Sequence, residues 1–174
     1  MEAQISLRRP FSDEYLLAYS GEHIFYEFEM FLWLTTVCAG GRSLTAPTGT
    51  DFKLLNNVLV EAFAVHLRNV IDFLYLGNPQ STDIVAADFF LEDWKAVRPP
   101  ITATLKAAKI RANKEIAHLT TSRITGTPPE KGWDFKGLAV ELCPIMTIMV
   151  TRAEPARLSQ QVKALLLGKG IRGR

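Results

Sequence analysis

Only two cysteines, Cys38 and Cys143, stand in the 174 residues, both inside apolar stretches and neither in metal-ligand spacing. That excludes a disulfide-stapled scaffold and a cysteine-based zinc site, and it points to reduced packing residues of a cytoplasmic protein. No secretory signal is read at the start, because Met1 to Pro10 is polar and carries Arg8 and Arg9 without an apolar core behind them. No uncharged apolar run is long enough to cross a bilayer, since Glu27 and Glu29 interrupt the most apolar stretch. A phosphate-cradling glycine loop is missing too: Gly168-Lys169-Gly170 has neither the preceding strand nor the following helix that such a loop requires. A nucleophile elbow, an internal repeat and a low-complexity segment are likewise lacking. The formal net charge of +2 excludes a polyanion binder of the histone kind but leaves room for a local basic patch. No membrane partner, cofactor or metal is expected.

What is present is an ordinary globular composition, 48% hydrophobic and 22% charged. A chain of this length buries roughly 70% of its unfolded surface, so residues 1–168 are expected to form a single helical-bundle domain and residues 169–174 a flexible basic tail. Helical periodicity and breakers divide the chain. A first helix is expected from Ser12 or Asp13 to Gly40-Gly41, apolar almost all round from Phe25 to Cys38, and therefore either central in the core or partly covered by a second subunit. Gly40 to Thr50 is a loop. A second helix, capped by Thr50 or Asp51, runs to Leu76 with Leu55, Leu59, Ala62, Phe63, Val70 and Phe73 as its core stripe. Its Glu61, Arg68 and Asp72 fall on the other side as a solvated charged face, with Arg68 and Asp72 as an i,i+4 pair.

From Gln80 to Arg98 the apolar Ile84, Val85, Phe89, Phe90, Leu91 and Trp94 suggest one or two short helical turns tucked against the bundle. Pro99-Pro100 opens the third long helix, and Thr121 to Asp134 is a long loop. A fourth helix runs from Asp134 to about Ala153, bent by Pro144, and a fifth from Glu154-Pro155 to Gly168. The fold class is all-α, an up-and-down helical bundle of four long helices plus a C-terminal helix, with no strand.

The most informative stretch is Lys106 to Thr120. At about 100° per residue Leu105, Ala108, Ala112, Ile116 and Leu119 share one stripe that can face a core. Arg111 and His118, seven residues apart, return to within about 20° of each other, on a line the core does not need. A permanent cation and a group that titrates near neutrality therefore project side by side. Lys106, Lys109 and Lys114 add positive charge to the same helix.

The run Arg111-Ala112-Asn113-Lys114-Glu115-Ile116-Ala117-His118-Leu119-Thr120 resembles the signature of the HEPN superfamily, helical bundles with an Arg-x(4 to 6)-His motif on a late helix. Asn113 to His118 matches the "Asn/Asp-Lys-x-Ile-Ala-His" core that many members carry. The resemblance implies a metal-independent ribonuclease or an RNA-binding relative, often a homodimer in which the motif helices of two subunits meet. It can be the toxin half of a defence or toxin-antitoxin pair, with an antitoxin or partner protein. In that picture Arg111 and His118 are catalytic. His118 serves as general base or acid on a ribose 2′-hydroxyl, Arg111 holds the scissile phosphate, and Asn113, Lys114 and Lys109 bind. Here Ala112 separates the arginine from the asparagine, and Asn113 points roughly 140° away from His118.

Other readings compete. Arg111 can pair with Glu115 at i,i+4 on an ordinary polar face, with His118 near the helix C-terminus. The same face can serve a non-catalytic module that binds a partner protein or nucleotide. His23, His66 and His118 could in principle converge on a metal, but no i,i+3 or i,i+4 ligand pair supports it. His66, in the middle of an apolar stripe, reads instead as a core histidine bonded to an acceptor, and His23 as a surface residue.

Overall fold

The computed structural model describes residues 11–40, 49, 51–116 and 132–168, with the backbone alone at 115 and 116. Among these all regular structure is helical and there is no strand. The Ser12 hydroxyl accepts the Tyr15 N–H at 3.2 Å and starts the first run. Helix α1 (Asp13–Tyr19) passes into a π-helical turn (Ser20–Ile24) and then α2 (Phe25–Cys38), and the run ends as Gly40 takes φ 74°. The helix expected from Ser12 or Asp13 to Gly40 is thus continuous, but it contains a π-turn that no periodicity announces. That turn buries Ser20, whose hydroxyl donates to the Leu17 carbonyl at 2.8 Å and accepts the Ser159 N–H at 2.9 Å.

Helix α3 (Phe52–Tyr75) is capped by the Asp51 carboxylate, which accepts the N–H groups of Lys53 and Leu54 at 2.9 and 3.2 Å. It runs antiparallel to α2: Glu27 meets His66, and the Phe31 and Phe63 rings stack at 5.9 Å. Of the expected stripe, Phe63, Val70 and Phe73 are buried, and Leu55, Leu59 and Ala62 are half-buried. Leu67, Ile71 and Leu74 are buried as well, so the C-terminal part of α3 is enclosed on more than one side. α2 is central: its Phe28, Phe31 and Leu34 are at most 1% exposed.

Two short turns follow, a 3-10 turn (Ala86–Phe89) and α4 (Trp94–Val97), burying Val85, Phe89, Phe90 and Trp94 as their composition predicts. The Trp94 indole donates to the Leu74 carbonyl at 2.8 Å, satisfying a carbonyl left over at the end of α3. Leu91, expected to tuck inward, is 77% exposed, because the extended backbone at Phe90 sends successive side chains to opposite sides.

Helix α5 (Ala103–Ile116) begins later than Pro99-Pro100, since each residue before a proline is pushed out of helical conformation. Thr102 provides the start instead, its hydroxyl accepting the Leu105 N–H at 3.1 Å. Leu105, Ala108 and Ala112 are buried as their spacing predicts. Helix α6 (Phe135–Arg152) opens on Asp134, which accepts the Gly137 N–H at 2.9 Å, and carries Pro144 on its exposed side.

Helix α7 (Gln160–Leu167) also starts later than the expected Glu154-Pro155. The Glu154 N–H is drawn to the Phe89 carbonyl at 2.8 Å, and Arg157 donates to Asp13 at 2.7 Å and to the Asp88 and Phe90 carbonyls at 3.0 and 3.3 Å. These bonds hold residues 154–158 in a turn until Ser159 caps the helix. The expected loop at 121–131 and the basic tail at 169–174 lie outside the described residues.

Phe63 joins the helices: fully buried, it stacks on Phe31 and meets the edges of Trp133 and Phe135 at 5.9 and 4.8 Å. Phe63→Ala is expected to lower the unfolding free energy by about 3–5 kcal/mol, measured by urea denaturation. A loss below about 1 kcal/mol would show that this contact is dispensable.

Candidate functional site

The motif helix α5 presents its residues in three directions. Arg111 lies with its guanidinium carbon 4.2 Å above the centre of the Trp133 ring, and its Nη1 donates to the Gly132 carbonyl at 2.7 Å. Cation–π attraction and that bond together fix the guanidinium plane just ahead of α6. Lys109 turns to the other side and pairs with Asp72 of α3. Asn113 is half-buried, while Lys106 and Lys114 are exposed. Of the sequence-derived set, then, Arg111, Lys109, Asn113 and Lys114 do not converge within the described part of α5. His118 lies outside the described residues, as does the side chain of Glu115, the alternative partner for Arg111.

The charged face assigned to Glu61, Arg68 and Asp72 is a correction. Glu61 is exposed, but Arg68 and Asp72 are half-buried and line a cavity of about 510 Å³ between the π-turn, α3 and residues 82–84. The expected i,i+4 pair is present, Arg68 Nε lying 3.7 Å from one Asp72 oxygen, and Lys109 reaches the other oxygen from α5. A third helix brought close by folding adds a second cation to a pairing read from one helix alone.

At the base of this cavity is a network that periodicity does not reveal. The Glu27 carboxylate accepts from His66 Nδ1 at 2.7 Å and from the Asn69 amide at 3.2 Å. A carboxylate only accepts, so Nδ1 carries the proton. The His66 side chain is 10% exposed and that of Glu27 is 27% exposed. The Tyr26 ring meets His66 edge-on at 5.4 Å. His66 is thus the acceptor-bonded core histidine its position suggests. His23 is exposed, its ring 4.6 Å from Tyr19. One signal was available in the sequence: a carboxylate inside a helix apolar on every side needs a partner on the helix it packs against.

No group of three histidine, cysteine or carboxylate side chains among the described residues could hold a metal ion. No described helix is long and apolar enough to cross a membrane. Cys38 and Cys143 are free and half-buried, and burial pushes both thiols up.

Comparisons of the chain with protein-family models, curated proteins and solved structures find no match.

The network and the thiols each generate an expectation. Glu27→Ala leaves His66 and Asn69 without their acceptor and is expected to lower stability by about 1–3 kcal/mol. A double-mutant cycle with His66→Ala reads the pair directly, and strict additivity would rule the coupling out. Because the thiolate is the reactive form and both thiols titrate higher than a free cysteine, disulfide-exchange labelling of native protein near pH 7 should be slower than in urea and should accelerate as pH rises. Equal rates in both states would contradict the burial seen here.

Proposed function

We propose that this is a HEPN-like protein that binds or cleaves RNA through Arg111 of α5 and His118, seven residues further along the sequence. The reading rests on the run Arg111 to Thr120, and its main structural support is the posture of Arg111. That guanidinium is drawn out of the core onto the Trp133 ring and tied to the Gly132 carbonyl. A cation held in one orientation before substrate arrives needs no reorganisation to meet a phosphate.

In this mechanism RNA supplies its own nucleophile. His118 takes the proton from the ribose 2′-hydroxyl or delivers one to the leaving oxygen, and Arg111 stabilises the charge that develops on the phosphate. No step calls on a metal ion. Lys114 and Lys106, both exposed on the same helix, add attraction for the backbone. The finer parts of the proposal are an up-and-down bundle, a homodimer that brings two motif helices together, and a place in the cytoplasm as the toxin of a toxin-antitoxin or defence pair.

Purified protein is expected to cut single-stranded RNA in the presence of a chelator, and His118→Ala to abolish cutting while leaving thermal unfolding unchanged. Arg111→Ala should lower the rate on the order of 10²–10³-fold. Arg111→Lys should not restore it, because an ammonium neither stacks as a plane nor forks onto phosphate oxygens. Cutting that survives His118→Ala excludes the mechanism, and RNA binding without turnover assigns the protein to the non-catalytic modules.

A further inference from the structure

A second cavity, of about 350 Å³, opens where the end of α3 meets α4 and the segment that leads into α5. Its walls are Tyr75, Lys95, Arg98, Pro99, Pro100 and Ile101. Two of these are cations, and among the described residues no carboxylate lines the space. The Arg98 guanidinium carbon lies 4.2 Å from the centre of the Tyr75 ring, a contact that holds the plane in one orientation. Its Nη1 is buried and has no hydrogen-bond partner among the described residues. The acid whose charge reaches it, Asp93, is already engaged: its Oδ1 accepts the Lys95 N–H at 3.0 Å and caps α4.

Charge and shape both select for an anion. Burial pushes the Arg98 pKa down while Tyr75 and Asp93 push it up, and a guanidinium stays charged at any ordinary pH. A permanent cation partly stripped of water and short of acceptors is stabilised by an anion that enters beside it. Lys95 stands three residues before Arg98, across the single turn of α4, so the like charges repel until an anion joins them. Pro99 and Pro100 have fixed φ, and the Tyr75 hydroxyl donates to the Pro99 carbonyl at 3.1 Å, so this wall is set before a ligand arrives. The volume lies near the lower end of the range for small-ligand sites.

We propose that this cavity binds the phosphate monoester of a small molecule, its phosphate on Arg98 and Lys95 and its organic part against Pro99, Pro100 and Ile101. Arg98 forks onto two phosphate oxygens, and Lys95 adds a point charge. A monoester carries close to two negative charges near neutral pH, which matches the two cations. A diester, such as each link of an RNA backbone, carries one. The site does not rest on the RNA reading: it lies before the first turn of α5, more than two turns from Arg111, and either can fail without the other.

The test is calorimetric titration of the full chain, at constant ionic strength, with phenyl phosphate, with inorganic phosphate and with methyl phenyl phosphate, the diester that keeps the ring and loses one charge. Phenyl phosphate should bind saturably and raise the melting temperature, and the diester should bind on the order of tenfold more weakly. Inorganic phosphate should also bind more weakly, because it leaves the prolines and Ile101 uncovered. Arg98 packs on Tyr75, so the discriminating variant is Lys95→Gln at an exposed position. It should weaken phenyl phosphate on the order of tenfold and leave thermal unfolding of the free protein unchanged. Arg98→Lys, which keeps the charge and loses the fork, should weaken it as well. No saturable binding of phenyl phosphate overturns the proposal. So does a diester or inorganic phosphate that binds as tightly as the monoester, and so does phenyl phosphate that binds Lys95→Gln as tightly as it binds the original protein.

Discussion

The partly buried carboxylate of Glu27, inside the apolar helix α2, sets the geometry from which the rest follows. α2 is greasy on every side, so burial of apolar surface alone does not choose which of its faces meets α3. Glu27 removes that freedom. Half-covered by the bundle, it is favoured where donors reach it, and the donors it finds, His66 and Asn69, are both on α3. Rotation and register of the α2/α3 pair are then fixed together, in the way one buried polar residue fixes the register of a coiled coil.

The consequences run outward along the aromatic residues. With Glu27 on His66, Phe31 stacks on Phe63 and Phe28 meets Phe73 edge-on at 6.0 Å. Phe63 in turn supports Trp133, and the Trp133 ring carries Arg111. The guanidinium on which the RNA proposal rests is therefore held through a chain of ring contacts that reaches back to α2. The cavity with Arg68 and Asp72 touches the same pair through Glu27 and α3, and is closed by the π-turn and residues 82–84.

At the other end, backbone groups rather than apolar stripes decide the arrangement. Arg157 gathers Asp13 and the Asp88 and Phe90 carbonyls, and Ser20 in the π-turn receives the Ser159 N–H. These bonds delay the start of α7 and seat it against the π-turn. Each partner lies far away in sequence, and a reading of local signals cannot anticipate it.

Local chemistry is what the sequence announces by itself. Ser12, Asp51 and Asp134 act as helix caps where their side chains predict, Gly40 ends the first run, and the 3.6-residue spacing of Leu105, Ala108 and Ala112 marks the buried side of α5. All of these depend on neighbours within a turn or two, whose relation is fixed by helix geometry. The placement of Arg111 off the core stripe was legible for the same reason. Its seat on Trp133, the addition of Lys109 to Asp72 and the partnership of Glu27 with His66 were decided only in the folded chain. They join residues from different helices, and the choice among possible partners is made by the packing of those helices against one another.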